Sequence, residues 1–232
     1  MNQIPLNLNL QTHYSFDNFY LTADNRELVE LLKQVESARF SQLLLWGEHG
    51  AGKSHLLQAF CNQSYAHQKS VFYVPLKTLA AYGSKVLVGM EHFDTLVIDD
   101  FERVLGDVTW EETLYGLINE RYYRKQQLIL STANPPATLI CELDDLVQRL
   151  KWGLTYKLEH LKPEDLPSAL KWLGLQRGFE LTDSVIDYII KHYAGNMGCL
   201  NAVLEHLDRR SLKEGRKITR PFAQQALQDF KC

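Results

Sequence analysis

Gly47-Glu48-His49-Gly50-Ala51-Gly52-Lys53-Ser54 decides the fold, together with the apolar run Leu43-Leu44-Leu45-Trp46 before it and the helical stretch His55 to Asn62 after it. The eight residues fit G-x-x-x-x-G-K-[ST], and they lie where that pattern has a mechanism, between a buried strand and a helix. The glycines let successive backbone N–H groups curl around phosphate oxygens, and the positive end of the following helix adds to the attraction. Lys53 reaches the outer phosphates and Ser54 is placed to hold magnesium. The whole run from Gly47 through Glu48, His49, Gly50, Ala51, Gly52 and Lys53 to Ser54 is therefore read as a phosphate cradle working with Mg2+. A purely structural glycine turn is the competing reading, which the flanking strand and helix disfavour.

The same alternation continues outward from the loop. Strands are expected at Val71 to Val74, Thr95 to Ile98, Leu128 to Thr132 and Leu154 to Leu158, with helical stretches between them. Near-continuous apolar strands separated by helices indicate an α/β domain with a parallel five-stranded sheet covered on both faces. Leu96-Val97-Ile98-Asp99-Asp100 ends one of these strands about 45 residues after the loop, and the α/β geometry brings its carboxylates to the same sheet edge. Asp99 is expected to hold magnesium, through water, and Asp100 to position a hydrolytic water. Alone, such a pair is more often a turn or a helix cap, and its position after a phosphate loop is what favours the magnesium reading.

Beyond Lys162 the strand pattern stops. Helices are expected near Asp165 to Gln176, Asp183 to Tyr193, Cys199 to Leu212 and Pro221 to Phe230, with Val185, Ile186, Ile189, Ile190 and Tyr193 forming one apolar stripe. The expected organisation is a flexible tail over 1–12, an α/β nucleotide-binding domain over 13–160 and a small helical lid domain over 161–232.

Composition narrows the function classes. A chain of 232 residues that is 45% hydrophobic and 23% charged can bury a sizeable core. A net charge of −3 supplies no overall attraction to nucleic-acid phosphates. No apolar run is long enough to span a bilayer, and MNQIPLNLNL has neither a basic leader nor a secretory apolar stretch, so a cytoplasmic protein is expected. Cys61, Cys141, Cys199 and Cys232 are far apart and form no metal-ligand spacing, and they read as reduced structural thiols.

The motif order resembles the AAA+ ATPases, and the wording of the segments resembles the DnaA initiator and above all its short homologue, the Hda family. The stretches that carry this are Tyr14-Ser-Phe-Asp-Asn-Phe19, Trp46 to Ser54, Leu96 to Phe101, Ile129-Leu-Ser-Thr-Ala-Asn-Pro-Pro136 and Asp145-Leu-Val-Gln-Arg-Leu-Lys-Trp-Gly153. The resemblance implies an AAA+ phosphate-loop domain followed by a helical lid, with ADP or ATP as ligand. It places Phe16 and Phe19 near the adenine base, makes Asn134, taken to end the fourth strand, the polar sensor of the terminal phosphate, and makes Arg149 an arginine finger offered to a neighbouring subunit. For Arg149, an i, i+4 ion pair with Asp145 is the plain structural alternative.

One position departs from the family: Gly198, in Gly195-Asn-Met-Gly-Cys-Leu200, stands where a second sensor arginine is expected. The tail Gln3-Ile4-Pro5-Leu6-Asn7-Leu8 resembles the Gln-x-x-Leu-x-Leu peptide by which replication proteins dock on the sliding clamp, with Gln3, Leu6 and Leu8 as the contacts. The resemblance thus implies a negative regulator of replication initiation. Its partners are the DnaA initiator and the clamp, with a homo-oligomer as a further option, and its own ATPase is weak or absent. A self-contained ATPase or helicase loader is the alternative. An origin-binding initiator is not expected, because no helix-turn-helix segment follows the lid, and a nucleotide kinase fits the Asn134 and Arg149 positions less well.

Overall fold

The computed structural model describes residues 14–34, 41–193 and 197–231. The tail residues Gln3, Leu6 and Leu8 lie outside them. Among the described residues, β1 (Gln42–Trp46), β2 (Val71–Pro75), β3 (Thr95–Asp99), β4 (Gln127–Thr132) and β5 (Leu154–Lys157) form one parallel sheet in the order β2-β3-β4-β1-β5. This is the sheet the alternating pattern predicts. Leu43, Leu44, Leu45, Leu96, Val97, Ile98, Ile129 and Leu130 are wholly buried, as strands covered on both faces require. β5 differs from the expected buried strand: it is the outer strand beyond β1, most of its side chains are open, and the buried leucine comes one residue later, at Leu158.

The register aligns the ends that matter. Trp46 of β1 stands opposite Thr132 of β4, and Ile98 of β3 opposite Leu130 of β4. The residues that follow these three strands therefore emerge along one sheet edge, the carboxyl edge where open α/β sheets bind ligands.

The helices of this unit are α1 (Arg26–Lys33), α2 (Lys53–Ala66), the single turn α3 (Leu76–Leu79), α4 (Val108–Tyr123) and α5 (Asp144–Leu150). α1 buries Leu28, Val29 and Leu32 and turns its glutamates outward, an amphipathic pattern. α4 starts where Asp107 accepts hydrogen bonds from the Thr109 and Trp110 amides at 2.9 and 3.3 Å, a cap worth about 1 kcal/mol. Inside its first turn, the fully buried Glu111 accepts from the Gly106 amide at 2.7 Å and from the Leu143 amide at 2.8 Å, which ties α4 to the chain entering α5.

Arg121, near the end of α4, is 1% exposed. Its guanidinium donates to the carbonyls of Met90, Phe93, Asp94 and Gln127, stitching the segment before β3 to the start of β4. Burial lowers its pKa to about 10, still far above neutrality. Arg121→Met removes all of these guanidinium bonds from a buried site and is expected to destabilise the protein by about 3 kcal/mol or more. A lowered midpoint in urea at unchanged slope checks this, and an unchanged midpoint refutes it.

By contacts the chain divides into two units. The first comprises Met1–Phe19, Arg26–Glu48 and Lys53–Leu158, and the second Tyr20–Asn25, His49–Gly52 and Glu159–Cys232. The second contains α6 (Leu166–Gln176), α7 (Asp183–Tyr193), α8 (Met197–Glu214) and α9 (Arg220–Ala226) around its own core of Leu170, Leu173, Val185, Ile186, Ile189, Leu200, Val203, Leu204, Leu207 and Phe222. α9 is shorter than expected. It opens on Thr219, whose hydroxyl accepts from the Phe222 amide, with Pro221 in the first turn. None of the described helices is long and apolar enough to cross a membrane.

The cysteine expectation needs correction. Cys61 and Cys141 are free, but Cys199 is disulfide-bonded. A bridge depends on two Cα atoms coming within about 4.4–6.8 Å, and spacing along the chain does not report that distance.

Candidate functional site

The site starts where β1 ends. The Gly47 amide donates to Thr132 O at 3.2 Å, and a Cβ at Gly47 would lie 2.1 Å from the carbonyl oxygen of Leu158. Only glycine fits there, so the first glycine of the loop is a packing requirement between three strand ends. Gly50 and Gly52 take φ of 85° and 105°, the left-handed region in which glycine is unpenalised. Glu48, His49 and Gly50 are exposed, Ala51 is buried, and the chain enters α2 at Lys53 with Ser54 half-buried in the first turn.

Lys53 is 5% exposed, and its ammonium donates to Gly47 O at 2.5 Å and Glu48 O at 3.1 Å. Burial lowers its pKa, while Glu102, Asp100 and Asp99 oppose that shift in decreasing order. The ammonium is thus folded onto the loop's own carbonyls in a field of three carboxylates, with donors that a phosphate oxygen competes for on better terms than a neutral carbonyl.

Asp99 closes β3 and is buried. One oxygen accepts from the Tyr73 hydroxyl at 2.6 Å and the other from Ser131 Oγ. Burial first, then the Asp99 charge, pushes the Tyr73 hydroxyl well above its ordinary pKa, so it remains a donor that orients the carboxylate. Asp100 turns the chain out of the strand with φ 57° and ψ 48°, its amide donating to Ser131 Oγ at 3.0 Å. Aspartate is among the few residues that take this conformation at modest cost, and such backbone clusters at functional sites.

Three members of this arrangement are not apparent in the motif. Tyr73 and Ser131 hold Asp99 from β2 and β4. Glu102, half-buried in the turn Phe101–Val104, is the carboxylate with the strongest effect on Lys53. Burial raises its pKa, followed in influence by its own backbone amide, which lowers it, and by Asp100, which raises it. A polar residue two positions past a strand-ending Asp-Asp is the signal that points to it.

Asn134 does not end the fourth strand. β4 stops at Thr132, whose hydroxyl donates to Asn134 O at 2.6 Å, and the Asn134 side chain is exposed two residues further on. The following Pro135 has no N–H to continue a ladder and biases its predecessor away from helix.

The segment Tyr14–Phe19 is pinned to α2. His55 Nε2 lies 3.0 Å from Ser15 O and 2.9 Å from Asn18 Oδ1, and Asn62 donates to Tyr14 O at 2.8 Å. Phe19 meets the His55 ring edge-on at 5.2 Å. Phe16 is buried and lines a cavity of about 460 Å³ with Tyr14, Lys33, Ala59 and Asn62. Ala59 and Asn62 lie six and nine residues past Lys53, which is roughly 9 to 14 Å along the helix.

Arg149 sits in the last turn of α5, half-buried. Its guanidinium lies 3.6 Å from the centre of the Trp152 ring and 5.6 Å from that of Tyr115. Among the described residues it forms no ion pair with Asp145. In the second unit, Gly198 is exposed in the first turn of α8. Arg209 lies eleven residues later, roughly 16 Å along the helix, and is paired with Glu205, while Arg210 is paired with Glu214. Neither lies in the turn of α8 that holds Gly198.

The model of the bacterial DnaA ATPase domain matches residues 10–157, and that of the Hda lid domain matches residues 164–227. Domain III of the Thermotoga maritima replication initiation protein DnaA has a similar structure, with a TM-score of 0.78 and 24% identity over 94% of this chain and 96% of that one. AMPPCP-bound DnaA from Aquifex aeolicus gives 0.74 and 23% over 89% of this chain and 71% of that one. The Thermotoga maritima RuvB Holliday junction branch migration motor gives 0.67 and 18% over 94% and 72%.

Proposed function

The chain belongs to the Hda-type, DnaA-homologous AAA+ family, and we propose that it binds an adenine nucleotide, docks on the sliding clamp and stimulates ATP hydrolysis by the DnaA initiator, restraining initiation once replication is under way. The nucleotide reading is supported by Lys53 and the two left-handed glycines of the loop, and by the AMPPCP bound to the Aquifex aeolicus relative. The Ser54 hydroxyl and the Asp99 carboxylate are hard oxygen donors of the kind Mg2+ takes alongside phosphate and water, and they are the residues that would hold it. Bound there, the ion would neutralise phosphate charge. Asp100, with Glu102 beside Lys53, supplies the carboxylates on which a water can be oriented, and Asn134 is the polar group proposed to meet a terminal phosphate.

The observation that carries the regulatory reading is the pairing of Arg149 with Gly198. Arg149 presents a guanidinium whose N–H groups are not spent on any described residue, whereas Gly198 stands where the family resemblance expects a second sensor arginine. A protein so built gives charge to a partner's nucleotide better than to its own.

The test is ATP hydrolysis by the initiator on DNA-loaded clamp, with and without this protein. Stimulation is expected. No stimulation, together with steady turnover by this chain alone, would instead support a self-contained ATPase or loader. Deleting residues 1–8 is expected to abolish capture on immobilised clamp while leaving nucleotide affinity unchanged. Capture at wild-type level by the truncated chain removes Gln3, Leu6 and Leu8 from the mechanism.

A further inference from the structure

A guanidinium stacked on an aromatic ring uses its π surface, and its N–H donors lie in its own plane and stay available. Arg149 is held in this way. It lies 3.6 Å from the centre of the Trp152 ring, no hydrogen bond or ion pair to a described residue takes any of its guanidinium nitrogens, and Nη1 is buried without a partner. An ion pair with Asp145, one turn back, would have consumed those donors. A buried unpaired donor is unfavourable in the free protein, so the ring contact, not hydrogen bonding, keeps the side chain in place.

The ring itself is firmly mounted. Gln42 Nε2 of β1 donates to Arg149 O at 2.9 Å and to Leu150 O at 3.1 Å, closing the end of α5 against the sheet. The Trp152 amide donates to Arg149 O at 3.2 Å. Gly153 packs so closely on β1 that a Cβ there would lie 2.3 Å from Gln42 O, and the Trp152 ring meets Tyr122 of α4 at 4.7 Å. Trp152 nevertheless remains 49% exposed, more than burial in a core would leave.

Resting on the reading of Arg149 as a finger offered in trans, we infer that Trp152 is a positioning residue: its indole face carries the Arg149 guanidinium with the donors unengaged, ready for the phosphoryl oxygens of a partner's nucleoside triphosphate. Trp152 touches no reacting atom. It acts by limiting where the guanidinium can be when the partner arrives.

The experiment uses the full chain with adenine nucleotide, DNA-loaded clamp and the ATP form of the initiator. Trp152→Leu is expected to lower the maximal stimulated rate about 2- to 30-fold, the worth of a cation–π contact, with the concentration of this protein that gives half-maximal stimulation unchanged. Trp152→Phe, which keeps an aromatic face, is expected to recover most of the rate. Independently of activity, nuclear magnetic resonance of the wild type should show the Arg149 side-chain protons shifted upfield by the ring, and the shift should vanish in Trp152→Leu. The inference is overturned if Arg149→Ala loses stimulation while Trp152→Leu keeps it. A change confined to the half-maximal concentration also overturns it, as does the absence of the upfield shift in the wild type, which needs no variant to fold. Stimulation by Arg149→Ala at the wild-type rate instead removes the finger reading on which the inference stands.

Discussion

Arg149→Ala is expected to reduce stimulation of the initiator's ATP hydrolysis by about 10³-fold or more, the range in which arginine fingers act in phosphoryl transfer. The size follows from where the charge is needed. Negative charge spreads over the transferring phosphoryl oxygens in the transition state, and a preorganised donor in a water-poor site stabilises it far more than solvent does. The guanidinium is prepared for that role, since it sits on Trp152 with its donors unspent. Arg149→Lys is expected to restore little, because an ammonium is a point charge without the planar fork. Nucleotide affinity and clamp capture should match the wild type, since the phosphate loop and residues 1–8 are untouched. A variant that still stimulates within about twofold of the wild type would be incompatible with a finger, given that expected range.

The second large effect is at Lys53. Lys53→Ala removes the buried ammonium that lies against Gly47 O and Glu48 O, and it leaves Glu102, Asp100 and Asp99 without the cation they surround. A phosphate entering that field then meets carboxylates with no lysine between them. Adenine nucleotide affinity is expected to fall about 100-fold, the equivalent of one strong charge-assisted contact. The readout is thermal or chemical stability with added nucleotide: at 100 times the wild-type dissociation constant the wild type gains about 2.7 kcal/mol, and the variant about 0.4 kcal/mol. An equal gain in both proteins would show that the loop does not hold the phosphates through Lys53.

Much of this was legible in the chain before any folding was considered. The phosphate loop declares itself because its requirements are local: Gly50 and Gly52 need left-handed backbone, and Lys53 and Ser54 must open a helix. The five strands and the helices follow from apolar runs and periodicity, and the sheet order is what sends Gly47, Asp99 and the residues after Thr132 to one edge. The less successful readings share a cause. The resemblance puts Asn134 at a strand end, but where β4 stops depends on its pairing with β1. The strand pattern predicts a buried β5, but its exposure depends on being outermost. Spacing along the chain predicts a reduced thiol at Cys199, but its bridge depends on proximity in space.

What the sequence determined by itself is therefore the class of the fold, the glycine loop that opens α2, the place of Asp99 and Asp100 at the end of a strand, and the segment that carries Arg149. What only the tertiary structure decided is how those groups are held. Tyr73 and Asp99 are 26 residues apart, Ser131 and Asp99 are 32 apart, and Gln42 and Arg149 are 107 apart. Backbone conformation and hydrophobic period are set by near neighbours along the chain, and so can be read from it. The bonds that orient a carboxylate, place Glu102 beside Lys53 or lay a guanidinium on an indole join positions whose meeting is fixed by strand register and side-chain packing, which exist only once the chain has folded.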